Sequence, residues 1–258
     1  MTLPETVDVE ERGEVAVVRL NRAAKRNALD DATVLGLEEV FTSPPAGARA
    51  IVLDAVGDHF SAGLDLGELA ERDAFEGMAH SRMWHRVFER IERGDLPVVA
   101  VLKGAVVGGG LELACAAHIR VAEPSTFYAL PEGQRGLFVG GGASVRVPKL
   151  IGVHRMADMM LTGRVLDADE GAALGLSQYR VEAGEGLARA LGLAEKIAAN
   201  SPVTNFAVLQ ALPRIAAADP DQGYLLESLM AAVASSSGEA KERMKAFMEG
   251  RGAKVATS

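Results

Sequence analysis

Three short apolar runs constrain this chain more than any other feature of it. They are Val15-Ala16-Val17-Val18-Arg19-Leu20, Ala50-Ile51-Val52-Leu53-Asp54-Ala55 and Val98-Val99-Ala100-Val101-Leu102. Short runs that are apolar almost throughout read as strands covered on both faces, and such strands belong to parallel sheets with helices between them. The intervening segments fit. Asp30 is placed to cap a helix with the stripe Val34, Leu37, Val40 and Phe41. A charged stretch over 66–93 carries Met83, Trp84, Val87, Phe88 and Ile91 at helical spacing. Arg12-Gly13 separates a further run at 7–10 from the first strand, a hairpin signal. A helical run begins near Leu111, and 118–122 reads as a short strand. Beyond residue 150 the chain turns rich in Ala, Leu, Met and Glu. Helices are predicted around 153–161, 167–174, 186–199, 202–216, 221–234 and 238–248, with one strand signal at 177–181. The fold class is therefore α/β with parallel strands and an α-rich C-terminal region.

Charge and cysteine content narrow the function. Lys plus Arg number 27 and Asp plus Glu 35, a net charge of −8, which argues against nonspecific nucleic-acid binding, a local basic patch being the one feature that escapes such a sum. The single cysteine, Cys115, excludes an internal disulfide or a thiolate metal cage and reads as a buried small residue. The five histidines show no ligand spacing, so no metal is expected; His80 and His85 read as solvent-facing on a polar helix. The first residues lack a basic-then-apolar leader, and no apolar run reaches about 18 residues, so the expectation is a cytoplasmic protein without a membrane partner. Phosphate-loop, dinucleotide, nucleophile-elbow and zinc-protease motifs are absent from the sequence.

Glycine is in excess, 28 of 258 residues. The informative ones follow strands. The run 98–102 leads to Gly108-Gly109-Gly110 and then Leu111-Glu112-Leu113. Glycines admit a ligand close to the backbone, and a helix start offers unpaired N–H groups suited to negative charge. A tight turn or close helix packing is the plainer explanation. Glu112 opens an apolar run, where a carboxylate is costly unless paired, hydrogen-bonded or protonated. Glu132 follows Pro131 on a different element; an exposed loop position is the ordinary alternative for it. Phe60-Ser61-Ala62-Gly63-Leu64-Asp65-Leu66 repeats the pattern after 50–55. Two such strand ends can each give one backbone N–H to a single oxygen.

In order and spacing these segments resemble the crotonase, or enoyl-CoA hydratase/isomerase, superfamily over nearly the whole chain. Leu20-Asn21-Arg22 through Asn27-Ala28-Leu29 is similar to its Leu-Asn-Arg-Pro…Asn-Ala-Leu motif, and Phe60 to Leu66 to Phe-Ser/Cys-Ala-Gly-Ala-Asp-Leu. Lys103-Gly104-Ala105 through Gly108-Gly109-Gly110-Leu111-Glu112-Leu113-Ala114 resembles Asn-Gly…Gly-Gly-Gly-x-Glu-Leu-Ala, and Leu161-Thr162-Gly163-Arg164 and 172–176 resemble the downstream motifs.

The resemblance implies a spiral of repeated ββα units over 1–195. A helical region over 196–258 would serve a homotrimer or a dimer of trimers. It implies an acyl-CoA thioester substrate, coenzyme A being part of the substrate and no cofactor being needed. Leu64 and Gly109 would supply the oxyanion-hole N–H groups. Glu112 would orient and deprotonate a water at Cβ, and Glu132 would donate or relay a proton at Cα. Substrate contacts are implied at Lys25, Arg26, Ala28, Ala62, Gly63, Asp65, Leu66, Gly108, Gly110, Pro131 and Gly140. Gly140 matches a glycine whose N–H helps hold the water. Lys25, Arg26 and Lys254 are candidates for the CoA phosphates, with a solvated basic surface as the alternative. Phe138, Trp84 and Phe88 are candidates to shape the acyl pocket, the latter two being equally suited to the core.

Having both glutamates favours a hydratase. The same-superfamily alternatives are an isomerase or a thioester hydrolase, and the alternative of another class is a noncatalytic acyl-CoA-binding or RNA-binding scaffold. Leu64 stands where many hydratases have Ala, and Val139 where they have Pro. These departures leave room for a branched or thioether acyl group.

Overall fold

The computed structural model describes residues 3–68 and 71–251. By compactness the chain divides into Met1–Ala198 and Ala199–Ser258. In the first unit, β1 (Val7–Arg12) and β2 (Val15–Leu20) form the expected hairpin, with Gly13 at φ 62° in its turn. Asp30 caps α1 (Asp31–Thr42) by accepting from the Thr33 N–H at 2.8 Å. Next come β3 (Ala50–Ala55), α2 (Ala74–Glu92), β4 (Val98–Leu102), β5 (Ala105–Val107) and α3 (Gly109–Ala114). They are followed by β6 (Ile119–Ala122), β7 (Phe127–Ala129), α4 (Ala143–Ile151), α5 (Val153–Thr162), β8 (Leu166–Asp167), α6 (Ala168–Leu174), β9 (Tyr179–Arg180) and α7 (Gly186–Ala198).

The strands form a six-stranded sheet in the order β1-β2-β3-β4-β6-β9 and a three-stranded sheet in the order β5-β7-β8. All pairs of the larger sheet except β1–β2 are parallel. The apolar runs are continuous because both faces are covered. Val18, Leu53 and Ala100 point into a core with α1 and α2, where Leu37, Val87 and Phe88 are fully buried. Their neighbours Val17, Val52 and Val99 point the other way, against Ala190, Leu193 and Ala194 of α7. Parallel alignment of β2, β3 and β4 brings their C-terminal ends to one edge of the sheet, so the glycine-bearing loops that follow β3 and β4 emerge together.

Three local expectations are corrected. The helix near Leu111 starts at Gly109. Helix α4 was not foreseen, because Gly142 before it and Pro148 within it disguise its pattern; the proline falls in the last turns. In the second unit the single helix expected over 202–216 is divided. It reads as α8 (Pro202–Phe206), a π-helical turn Ala207–Ala211 and α9 (Leu212–Ala217). Pro213 has no N–H for the α-helical ladder, and the register widens just before it. α10 (Pro220–Ser236) and α11 (Gly238–Met248) follow.

Candidate active site

The segment 22–30 braces the loop after β3. Asn27, in the left-handed region at φ 53°, accepts from the Arg22 N–H at 2.8 Å. Its amide donates to the carbonyls of Val56 (2.9 Å) and His59 (2.7 Å). Ser61 Oγ donates to the Asn27 carbonyl at 2.8 Å and accepts from the Gly63 N–H at 3.1 Å. Leu29 and Gly63, and Asp65 and Leu29, are joined by backbone bonds of 2.8 Å. The buried Asp65 carboxyl meets Lys25 at 3.0 Å and Arg22 at 2.7 Å. Lys25, the Gly67 N–H and Arg22 hold its pKa down at about 2. Every neighbour of Leu64 is thereby fixed, while the Leu64 N–H itself has no acceptor among the described residues.

The Gly109 N–H, at the start of α3, likewise has none. The two nitrogens lie side by side. A Cβ on Gly63 would stand 3.1 Å from the Gly109 nitrogen, and one on Gly109 would stand 3.4 Å from the Leu64 nitrogen. Gly63 must be glycine: its φ is +88°, and a Cβ would meet the Val107 carbonyl oxygen at 2.6 Å. Two unpaired donors converging on one point form a receptor for an oxygen that gains negative charge.

One turn into α3, Glu112 is only 2% exposed. Burial first, then the nearby Glu132 charge, pushes its pKa up to about 7. The backbone N–H groups of Ala143 and Gly141 and the Arg146 charge act in the opposite direction. Arg146 reaches this place from α4, bonded to Glu92 at 2.7 Å and to the Gly141 carbonyl at 3.0 Å. Glu132 stands before the 3-10 turn Gly133–Arg135. Burial raises its pKa as well, opposed by its own backbone N–H and by Arg135. Glu112 Oε1 and Glu132 Oε2 are both buried with no hydrogen-bond partner. A buried polar atom of this kind calls for a missing water or ligand.

These groups line one cavity of about 470 Å³. It brings together Ala62, Gly63, Leu64, Leu66, Gly108, Gly109, Glu112, Pro131, Glu132 and Gly140 of the residues expected from sequence. Lys25, Arg26, Ala28, Asp65 and Gly110 do not line it: Lys25 and Asp65 belong to the brace, and Gly110 packs against the Ser61 backbone. Lys254 lies outside the described residues. Trp84 and Phe138 line the cavity; Phe88 does not and is core.

Sequence reasoning missed part of the wall. His80 is not solvent-facing: its Nε2 meets Asp31 Oδ1 at 2.7 Å, and it lines the cavity with Arg72, Ser81 and Arg135. Ser81 Oγ donates to the Gly140 carbonyl at 2.7 Å. The spacing of His80, Ser81 and Trp84 on one helical face was the available signal. Cys115 is buried, its thiol pushed up to about 11 by burial. Among the described residues no group of three His, Cys, Asp or Glu side chains is placed to hold a metal.

Comparison with known proteins shows the family. The family model described as Enoyl-CoA hydratase/isomerase matches residues 10–256. The short-chain-enoyl-CoA hydratase of Clostridium acetobutylicum is 32% identical over 95% of both chains. A crystal structure from Rhodopseudomonas palustris, provisionally assigned as an enoyl-CoA hydratase, is 60% identical, with a TM-score of 0.93 and 95% of each chain covered. The enoyl-CoA hydratase of Bacillus anthracis gives 29% identity and a TM-score of 0.89 over 97% of this chain and 98% of that one. The expected spiral α/β fold is thus the observed one.

Proposed function

We propose that this chain, which belongs to the enoyl-CoA hydratase/isomerase family, adds water across the 2,3 double bond of an enoyl-CoA thioester. The observation that carries the reading is the pair of buried, unpartnered carboxylate oxygens, one from Glu112 and one from Glu132, facing one cavity beside two free backbone N–H groups. The thioester carbonyl sits on the N–H groups of Leu64 and Gly109. As water attacks Cβ, the electrons of the double bond move onto that oxygen, and the two donors stabilise the enolate. Glu112, held by the Gly141 and Ala143 N–H groups, orients the water and takes its proton. Glu132, its pKa raised by burial, returns a proton to Cα as the enolate collapses. One proton enters at Cα and one leaves the water, so the pair ends in balance.

This chemistry takes no cofactor, coenzyme A being part of the substrate. Arg26 and Lys25 meet the CoA phosphates in this reading. The Arg26 carbonyl accepts from the Ala62 N–H at 2.9 Å, which sets both residues beside the thioester loop. An isomerase needs only one such carboxylate, and a scaffold needs none.

The second unit carries exposed Tyr224, Leu225, Leu229 and Val233 on α10, which supports assembly into a trimer or a dimer of trimers. Light scattering on the purified protein tests that. The acidic charge supports a cytoplasmic enzyme without nucleic-acid partners; among the described residues no helix is long and apolar enough to cross a membrane.

The decisive experiment follows loss of enoyl-thioester absorbance over a panel of chain lengths. Glu132→Gln is expected to lower hydration at least about 10²-fold while acyl-CoA still binds. Near-normal turnover in that variant would remove the two-glutamate mechanism.

A further inference from the structure

One face of α2 lines the cavity with Gly77, His80, Ser81 and Trp84, the i, i+3, i+4 and i+7 positions of a helix. This is an unusual wall for an apolar acyl chain. Gly77 lies inside the helix, where glycine is weaker than alanine. A Cβ there would meet nothing within 4 Å, so packing does not require the glycine. Its effect is room on the cavity side.

The polar groups around that room are unevenly charged. Asp31 accepts from His80 at 2.7 Å and from the Trp84 indole at 3.4 Å, and it stands 3.8 Å from Arg72. One carboxylate thus serves a guanidinium, an imidazole and an indole. The second ring nitrogen of His80, Nδ1, has no partner among the described residues. Arg135 also lines the cavity; it closes no ion pair among the described residues, its charge acting only through space on Glu132. The only carboxylates in the wall are Glu112 and Glu132, which the hydration reaction uses. An apolar tail entering here packs on Leu66, Leu137 and Phe138 but strips water from the cations and returns no hydrogen bond to them. A tail ending in an anion replaces that water with charge-assisted hydrogen bonds.

We propose that the preferred substrates are 2-enoyl-CoA thioesters whose acyl chain ends in a carboxylate, recognised by Arg72, His80 and Arg135 in the space left by Gly77. The inference rests on the hydratase reading and names its substrate class.

Two measurements keep the two ideas separable. The first compares kcat/KM for trans-2-hexenoyl-CoA with that for the same thioester carrying a carboxylate at its far end. The second compares, by calorimetry, the Kd of saturated hexanoyl-CoA with that of its carboxylate-ended counterpart, adipoyl-CoA, and needs no turnover. The expected result is a preference of about tenfold or more for the carboxylate-ended member in both. His80→Leu and Arg135→Gln are each expected to reduce that ratio several-fold. Equal affinities, or a preference for the methyl end, in the unaltered enzyme would overturn the proposal whatever the variants do. It would fall equally if Arg135→Gln and His80→Leu weakened both ligands and free coenzyme A alike, since that marks a phosphate contact. A preserved binding preference with no hydration of either thioester would uphold the tail recognition and overturn the hydratase reading instead.

Discussion

Two segments deliver a carboxylate to the same cavity and hold it in opposite ways. Glu112 rides on α3, behind the glycines of a strand end, almost wholly buried, with two backbone N–H groups and the Arg146 charge as an electrostatic clamp that holds its pKa down against that burial. Glu132 rides on the loop between β7 and α4, with only its own N–H and the charge of the exposed Arg135 to moderate its burial. The difference teaches how one fold obtains two roles from one residue type. Burial and the Glu132 charge still carry Glu112 up to about 7, near the pH at which a general base takes and gives up its proton. Glu132, raised by burial as well, reaches the same cavity from the loop and serves the proton at Cα in that reading.

The largest effects should come from the carboxylates themselves. Glu112→Gln is expected to lower kcat/KM by about 10²–10⁴, matching Glu132→Gln. The contrast then lies in pH. In the unaltered enzyme the acid limb of kcat/KM should fall near pH 7, where Glu112 loses its proton. Removing the clamp with Arg146→Gln should move that limb upward by roughly one unit or less, since the Arg146 charge lowers the Glu112 pKa. A limb that stays in place would make the clamp structural only.

Backbone substitutions sharpen the same comparison. Gly109→Ala, at the head of α3, sets a Cβ 2.8 Å from the Trp84 ring and should disturb the oxyanion donor, lowering kcat by about 10²–10³. Gly136→Ala, in the loop, meets nothing within 4 Å, and its φ of +69° costs about 1–2 kcal/mol of stability. Its turnover should remain near normal. Kinetics beside a thermal melt separate the two.

Burial of Glu112 also has a stability consequence. A carboxyl whose pKa rises from 4.5 to about 7 on folding favours the folded state least when it is ionised. The contribution is intact below about pH 4.5 and lost as pH rises through 7. At pH 8 the loss approaches about 3 kcal/mol. Glu112→Gln, for all its loss of turnover, should therefore be more stable at pH 8, with under about 1 kcal/mol of gain at pH 5. Denaturant melts at both pH values check this.

The smallest effect is expected for Ser81→Ala. Ser81 holds the Gly140 carbonyl, next to the Gly141 N–H that Glu112 receives. Loss of one hydrogen bond of about 1 kcal/mol predicts a roughly fivefold fall in kcat with KM little changed.

Much of this was legible in the sequence because it is local. The runs 15–20, 50–55 and 98–102 announced a sheet covered on both faces, and Asp30 announced its helix. The glycines after β3 and β4, with Glu112 and Glu132, marked the cavity. The Asn27 segment was legible as a motif but not as a brace, because its partners are carbonyls 29 and 32 residues away. The place of His80 and Arg72 in the wall was hidden for the same reason, their common partner Asp31 lying on another helix. Lys25 and Asp65 look like surface charges until folding sets them 3.0 Å apart.

The sequence by itself determined the strands of the larger sheet, its crossovers and the positions where bare backbone meets a ligand, since each depends on a period or a residue type within one segment; the short strands β5, β7 and β8 of the smaller sheet carry no such run and were not legible. Only the tertiary structure decided which nitrogens stay unpaired, which carboxylates are buried and which cations join the cavity wall. Those depend on the distances between segments that the chain brings together, and on the water that is excluded when it does so.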